Sequence, residues 1–312
     1  SEEYSEEDFN LAVYSRVQGL YLDRGYIYSR VEPQVTPVGK DSLDIHFMIT
    51  ENHKVYINNI KIFGNTRTRE NVIRRQLRVF PGDVYSQDLI ARSYREVMML
   101  NFFANVAPNV IPVSDDKVDL EFTVEEKPAG QASANMGYSQ YYGLTGGGGL
   151  SLPNFRGKGQ SFTFSYNEGI SSGGQNSYVY QGTNVDRPKN RRISIGFTDP
   201  MVNDTKNLLG ASLGYDMRGG GSAMYYSPLE TTTAYGSFMW GRIFKWPDDF
   251  FRGTWRIMMR RRSYSGSQAD LEKYVGGLTK TDGISFVQTI KRDSRDHPEF
   301  PTLGSHFSLN ST

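Results

Sequence analysis

The sequence predicts two architectures in series: α+β units of β-α-α-β-β order over the first 128 residues, then an antiparallel transmembrane β-barrel over residues 129–312. Three observations carry this prediction. A segment near Val31 recurs near Val106, an offset of 75 residues. Beyond Gly130 the apolar pattern changes to a strict period of two. The connections between the alternating segments are compact at one end and mostly longer at the other.

The repeat is read by aligning VEPQVTPVGKDSLDIHFMITE (31–51) with VAPNVIPVSDDKVDLEFTVEE (106–126). Val31, Pro33, Val35, Pro37 and Val38 fall on Val106, Pro108, Val110, Pro112 and Val113, and Asp44, Phe47 and Glu51 on Asp119, Phe122 and Glu126. A fixed offset at this density marks a duplicated unit. Each copy reads as a helix followed by two alternating strands, with Val118, Leu120, Phe122 and Val124 on one face. Ser86 is the expected N-cap of a helix running to Leu100, and Ser5, with Asp8 three residues on, of one running to Leu22. The second copy adds an opening strand (Val55–Phe63) and a short helix from about Thr68 to Arg78, separated by a turn over Gly64–Thr68. The expected boundaries are 1–53 for an incomplete copy, 54–128 for a complete one and 129–312 for the barrel part. The first copy lacks its opening strand and first helix, so the chain is expected to begin inside a longer protein.

Alternation defines the back part. Ala132, Ala134, Met136 and Tyr138 share one face, with Ser133, Asn135, Gly137 and Ser139 on the other. The same period runs through Phe162–Tyr166, Ile193–Phe197, Leu209–Tyr215, Ala234–Trp240, Trp255–Met259, Ile284–Ile290 and Phe307–Leu309. With the glycine-rich segment Gly146–Leu152 these make eight strands and the start of a ninth. The alternate face is polar and carries charge at Arg256 and Arg260. Alternation alone also fits a two-sheet sandwich. The connections favour a membrane barrel: Pro153–Lys158, Asp199–Lys206 and Lys245–Asp249 are compact, whereas Glu168–Asn190, Met217–Glu230 and Tyr264–Asp282 are long, and only the hairpin near Tyr141–Gly143 is tight at that end. The α+β units join the first strand at the short-turn end, which places them on the periplasmic side.

Composition narrows the chemistry. A net charge of +1 gives no electrostatic reason to expect nucleic acid. The absence of cysteine removes thiol nucleophiles, and His46, His53, His297 and His306 have no ligand spacing, so neither a metal, a cofactor nor a catalytic residue is expected. Arg292, Asp293, Arg295 and Asp296 lie in a turn, where charge pairing that holds the turn, or contact with lipid headgroups, outweighs acid–base work. Gly146–Gly149 resemble a phosphate-binding loop only in composition, because strands flank them and no helix follows. They are expected to permit close approach in the barrel wall.

Longer motifs carry a family resemblance. INNIKIFGNTRTRENVIRRQL (57–77) and PGDVYSQDLIARSYREVMMLNFF (81–103) resemble the last polypeptide-transport-associated (POTRA) domain of the BamA family of outer-membrane protein assembly factors. VDLEFTVEEKPAG (118–130) resembles that domain's exit into the barrel, and GYSQYYGLTGGGGLSLPNFRGKGQ (137–160) the first barrel hairpin and turn. FTDP (197–200) and RDSRDHPEFPTLGSHFSL (292–309) are similar to later turns and a mid-barrel strand. The family's barrel has sixteen strands, so the resemblance implies about its first half, with truncation at both ends. The family's Val-Arg-Gly-Phe/Tyr loop motif is absent: Arg24-Gly25, Arg156-Gly157, Arg218-Gly219 and Arg252-Gly253 lack its context.

The resemblance implies a non-enzymatic insertase in the bacterial outer membrane, with POTRA domains in the periplasm. Its partners would be nascent outer-membrane proteins, accessory lipoproteins or other machinery subunits, and outer-membrane lipid. The first strand, through Ala132, Ser133, Ala134, Asn135, Met136, Gly137 and Tyr138, would be the templating seam. Arg67, Arg69, Arg74, Arg75 and Arg78 are candidates for docking an accessory lipoprotein, against the plainer reading of a solvated helix face. A two-partner-secretion-type protein transporter and a passive outer-membrane channel are the alternative functions.

Overall fold

A computed structural model describes residues 5–39, 42–139, 143–170, 177–180, 183–186, 189–219, 228–295 and 301–312. The chain divides into two compact units, residues 1–128 and 129–312. Tyr141, Asp296 and His297, and parts of two of the long connections, lie outside the described residues.

The first unit opens with α1 (Glu6–Ala12) and α2 (Gly19–Leu22), continuous through a π-helical stretch over Val13–Gln18, and the hairpin β1 (Arg30–Val38) and β2 (Ser42–Thr50). Then follow β3 (Tyr56–Phe63), α3 (Glu70–Arg74), α4 (Gln87–Met99), β4 (Phe103–Ser114) and β5 (Lys117–Glu126). The duplication keeps its register along the strands up to the turn, where the second copy shifts by one residue. Pro33 pairs with Phe47 as Pro108 pairs with Phe122, and Val35 with Ile45 as Val110 with Leu120. The sheet order is β3-β5-β4, with β3 parallel to the central β5. Proline in β4 fits its edge position, where a missing N–H costs no ladder bond.

Burial separates the two copies. Phe122 is fully buried and Leu120 nearly so, under a core completed by Val55, Ile57, Val72, Ile73, Val97 and Phe103. Phe47, at the equivalent position, is 38% exposed, because only a hairpin and one helical segment surround it. The copies are joined by hydrogen bonds: the Val55 amide donates to the Gly25 carbonyl at 2.9 Å, and the Asp88 amide in the first turn of α4 to Asp23 Oδ1 at 2.8 Å. Asp23 thus supplies negative charge to the N-terminus of a helix in the next copy. Burial, then the charge of Asp23, pushes the Tyr85 phenol upward. We place the boundary between the copies at residues 53/54, just after Asn52, which adopts a left-handed conformation (φ 58°).

Ser86 caps α4 as expected, its Oγ accepting from the Leu89 amide. The preceding helix is shorter than predicted, ending at Arg74 rather than Arg78. The chain leaves the helical path so that Leu77 and Val79 reach the core. The Arg78 amide then bonds to Ser93 Oγ of α4 at 2.8 Å instead of to a helical carbonyl.

The loop into α3 is held from the far end of the domain. Glu126 Oε2 accepts from Thr66 Oγ1 and the Arg67 amide, both at 2.8 Å, and Oε1 from the Thr68 amide at 2.6 Å. Burial raises the Glu126 carboxyl, but the bonds from Thr68, Thr66 and Arg67 outweigh it and hold the group below its ordinary value. A second polar cluster braces β3 against β5. Asp119 accepts from Asn58 at 2.7 Å and pairs with Lys61 at 3.0 Å. The Asn58 and Lys61 contacts lower Asp119, and Asp119 in turn raises Lys61.

The second unit contains β6 (Gln131–Ser139), β7 (Gly143–Phe155), β8 (Gln160–Ile170), a small hairpin of β9 (Ser177–Tyr180) and β10 (Thr183–Asp186), β11 (Lys189–Asp199), β12 (Asn207–Gly219), β13 (Glu230–Ile243), β14 (Phe251–Ser265), α5 (Gln268–Val275), β15 (Lys280–Asp293) and β16 (His306–Ser311). Nine of these strands form one antiparallel sheet, β6-β7-β8-β11-β12-β13-β14-β15-β16, neighbours in sequence order apart from the inserted hairpin. The expected eight strands and the start of a ninth are all present. Hairpin β9–β10 and α5 were expected as loop. Helix α5 has both its signals, a Ser267 cap bonded to the Asp270 amide and Gly276 in the left-handed conformation, but eight residues are too few for periodicity to register.

A cluster ties the short-turn end of the sheet. Arg292 pairs with Asp248 at 2.9 Å, donates to Ser294 and Ser305 hydroxyls at 3.0 and 2.7 Å, and stacks over Phe250 and Phe251. Asp293 pairs with Arg295 at 2.8 Å and Lys291 at 3.3 Å. Charge pairing therefore does link these turns, through Asp248 of the preceding turn.

Two expectations follow. Glu126→Gln removes a charge whose folded-state pKa is depressed, so the lost stabilisation is present above about pH 4 and vanishes as pH falls through the folded-state value. Urea unfolding of residues 1–128 should show a loss of about 1.5–3 kcal/mol at pH 7 that narrows as the pH falls through the folded-state value; a gap that does not change with pH would exclude the charge as the cause. Arg292→Met should lower the temperature at which the folded barrel loses its gel mobility, by more than Arg295→Met does. Arg292 joins two turns, whereas Arg295 pairs within its own.

Candidate functional site: an edge strand and a two-faced wall

The nine-stranded wall presents one apolar and one polar face, fixed by the period of two. On the apolar face Met136, Tyr138, Leu150, Phe164, Ile195, Leu213, Phe238, Ile257, Met259, Ile284 and Phe286 are all exposed. Solvated side chains of this size over a whole sheet face need an apolar environment. The band ends in polar pairs at the long-loop end: Arg191 with Glu168, which also accepts from Tyr166, and Arg261 with Asp282 at 2.8 Å. At the short-turn end it closes in aromatic pairs, Trp240 stacked on Trp255 at 4.7 Å, Phe155 with Phe162, and Phe251 with Phe307. From Phe251 to Arg261 β14 advances roughly 33 Å at about 3.3 Å per residue, or about 25 Å vertically at the usual barrel tilt near 40°. That matches the hydrophobic belt of an outer-membrane barrel, aromatic girdle included.

The opposite face is polar. Ser165 bonds to Ser194 at 2.7 Å and Ser212 to Ser237 at 2.8 Å across neighbouring strands. Arg192 and Arg218 converge on Asp216, at 2.9 and 2.8 Å. Arg256 and Arg260 stand on this face as expected, with Arg256 against the Met239 sulfur at 3.4 Å.

The predicted seam residues are brought together on β6, which with β16 forms the two edges of the sheet and, among the described residues, pairs with β7. All seven are exposed, Met136 by 77% and Tyr138 by 72%. From Ser133 to Met136 every residue faces a glycine: Ser133–Gly149, Ala134–Gly148, Asn135–Gly147 and Met136–Gly146. The side-chain pairs that ordinarily stabilise a sheet are missing there, so backbone bonds alone carry the middle of this ladder. Gly147 is required on its other side: a Cβ there would lie 2.5 Å from the Tyr166 carbonyl of β8 and closer still to the Asn167 amide. Gly147 thus packs tightly toward β8, whereas a Cβ at Gly148 or Gly149 would crowd Ser133 of β6 at 3.2 and 3.0 Å.

The five docking candidates do not form one cationic surface. Arg67 and Arg69 are exposed. Arg74 pairs with Glu70 and donates to the Ile60 carbonyl, and Arg78 pairs with Glu96 at 2.7 Å. Arg75 is half-buried beside them. Sequence reasoning missed Glu126 and the Asp119 cluster. Both occupy repeat positions, matched by Glu51 and Asp44, which was the available signal.

Comparison with known proteins agrees with this geometry. Residues 55–127 match the POTRA family, described as a surface antigen variable number repeat. The outer membrane protein assembly factor BamA of Neisseria meningitidis serogroup B is 30% identical over 211 residues, 67% of this chain and 24% of that protein. The chain spans between about a sixth and a quarter of the length of the curated relatives it matches. The crystal structure of BamA from Haemophilus ducreyi lacking POTRA domains 1–3 superposes with a TM-score of 0.65 at 17% identity, covering 99% of this chain and 57% of that one. CdiB from Escherichia coli follows at 0.50 and 12% identity, covering 93% of this chain and 50% of that one, a likeness of fold alone. A POTRA domain, a lipid-height apolar band closed by aromatics and the BamA relatives converge, and the chain belongs to the BamA-like outer-membrane proteins, with its POTRA part in the periplasm and its strands in the barrel wall.

Proposed function

We propose that this chain is the templating part of an assembly factor that folds and inserts nascent outer-membrane β-barrels, with β6 as the strand on which an incoming chain builds its own. The carrying observation is the ladder between β6 and β7, in which four successive residues of β6 face glycines. An unpaired backbone group in lipid costs several kcal/mol, so a barrel entering the membrane strand by strand needs a partner edge throughout. A strand that bonds through its backbone and interlocks weakly with its neighbour supplies such an edge by β-augmentation and can release it afterwards. No covalent step is required, and no catalytic residue is assigned. In the periplasm the POTRA domain would dock accessory subunits, with exposed Arg67 and Arg69 the leading contacts and Arg74, Arg75 and Arg78 lending positive potential beside them.

The polar inner face and the shared fold with CdiB favour a second reading, a two-partner-secretion-type transporter that passes one substrate through its lumen. The two differ in where the substrate lies. A single cysteine at Asn135 of the full-length protein should form a register-specific disulfide with the last strand of a stalled outer-membrane substrate in cells. Crosslinks confined to inner-face positions such as Arg256 would instead establish the transporter. Separately, Arg67→Glu with Arg69→Glu should weaken capture of an accessory subunit by about tenfold or more, while Arg74→Gln should chiefly lower POTRA stability.

A further inference from the structure

The inner face near the long-loop end of β12, β13 and β14 holds a feature that neither functional reading uses. Asp216, Arg218, Thr231, Thr233, Tyr235, Met258, Arg260 and Arg262 line a groove of about 560 Å³, within the usual range of ligand sites. Asp216 is the only acid on it and already serves two arginines, Arg192 and Arg218. Among the described residues, Arg260 and Arg262 have no carboxylate partner. Many other described arginines of this unit do: Arg191, Arg192, Arg218, Arg261, Arg292 and Arg295 are all in ion pairs.

The groove is also built. Arg260 stands opposite Tyr235 on β13 and Gly283 on β15, and a Cβ at Gly283 would meet open space. Tyr235 in turn lies across Gly214 of β12, where a Cβ would fall 2.1 Å from its ring. Only glycine admits that ring, which lays an aromatic floor with a hydroxyl beside Arg260. Thr233 faces Arg262 directly. Guanidinium groups two residues apart on one strand repel each other, a cost that a strand pattern normally avoids. Their spacing, about 6.6 Å at roughly 3.3 Å per residue, equals the repeat of alternate side chains on an extended peptide.

We propose that this groove binds an extended acidic peptide segment, its alternate carboxylates taken by Arg260 and Arg262 and its polar groups by Thr231, Thr233 and Tyr235. Guanidinium forks suit planar carboxylates, and a cationic recess in a narrow wall concentrates such anions. The assignment is independent of whether β6 templates substrates.

The test uses the detergent-solubilised full-length protein and a fluorescein-labelled peptide of alternating Glu and Thr, read by anisotropy. The acidic peptide should bind at least about tenfold more tightly than its Gln counterpart, weaken with added salt, and lose about tenfold or more in the Arg260→Gln/Arg262→Gln variant, whose fold is checked by unheated gel mobility. On the unaltered protein, the peptide should protect Arg260 and Arg262 from phenylglyoxal, which keeps the test available if the variant does not fold. Equal binding of both peptides, or no protection, would overturn the proposal. So would displacement by submillimolar inorganic phosphate, since a site reading spaced carboxylates has no reason to hold one small anion tightly.

Discussion

Everything in the second unit follows from the requirement that backbone N–H and C=O groups be paired where no water can reach them. Nine strands in sequence order satisfy it for one another, and the side chains then have only to alternate. The apolar residues go outward because the solvent there is lipid, and the inward face is free to hold serines, arginines and glycines that a packed core would not tolerate. What sets β6 apart is that β7 offers it glycines where most strands offer side chains. Cohesion at that position is therefore almost wholly backbone hydrogen bonding, which any extended chain can match.

The first unit obeys a different constraint. It is small, and its stability rests on one sheet side sealed by α3 and α4, with Phe103, Leu120 and Phe122 near zero exposure. Its polar contacts are few and placed where the chain would otherwise fray: Glu126 at the loop into α3, Ser93 at the end of that helix, Asp119 between β3 and β5. The first copy has the same pairing along its hairpin but leaves Phe47 partly exposed, so pairing is encoded by the strands themselves.

Much of this was legible in the sequence. The 75-residue repeat predicted the paired hairpins, and alternation, with the glycine-rich segment Gly146–Leu152, placed eight strands, the start of a ninth and both faces. What escaped was non-local or short. Glu126 meets Thr66–Thr68 across about sixty residues, and no local pattern announces it. Helix α5 is eight residues long and amphipathic only weakly. The arginines of the docking group looked alike in sequence, and only the fold separates exposed Arg67 and Arg69 from Arg74 and Arg78, whose acidic partners Glu70 and Glu96 lie close by. The inner groove likewise depends on Tyr235 lying over Gly214, a cross-strand pair that chain order hides.

The position of β5 has a mechanical consequence. It is the central strand of its sheet, and it is also the segment that leads through Pro128 toward the barrel strands. A pull along this connection loads two ladders in shear at once, β3 on one side and β4 on the other, rather than unzipping an edge bond by bond. Glu126 and the Lys127–Asn101 bond at 2.6 Å sit at the point where such a load would enter. The connection thus leaves the domain from its central strand, so a load entering there meets both ladders before either edge strand.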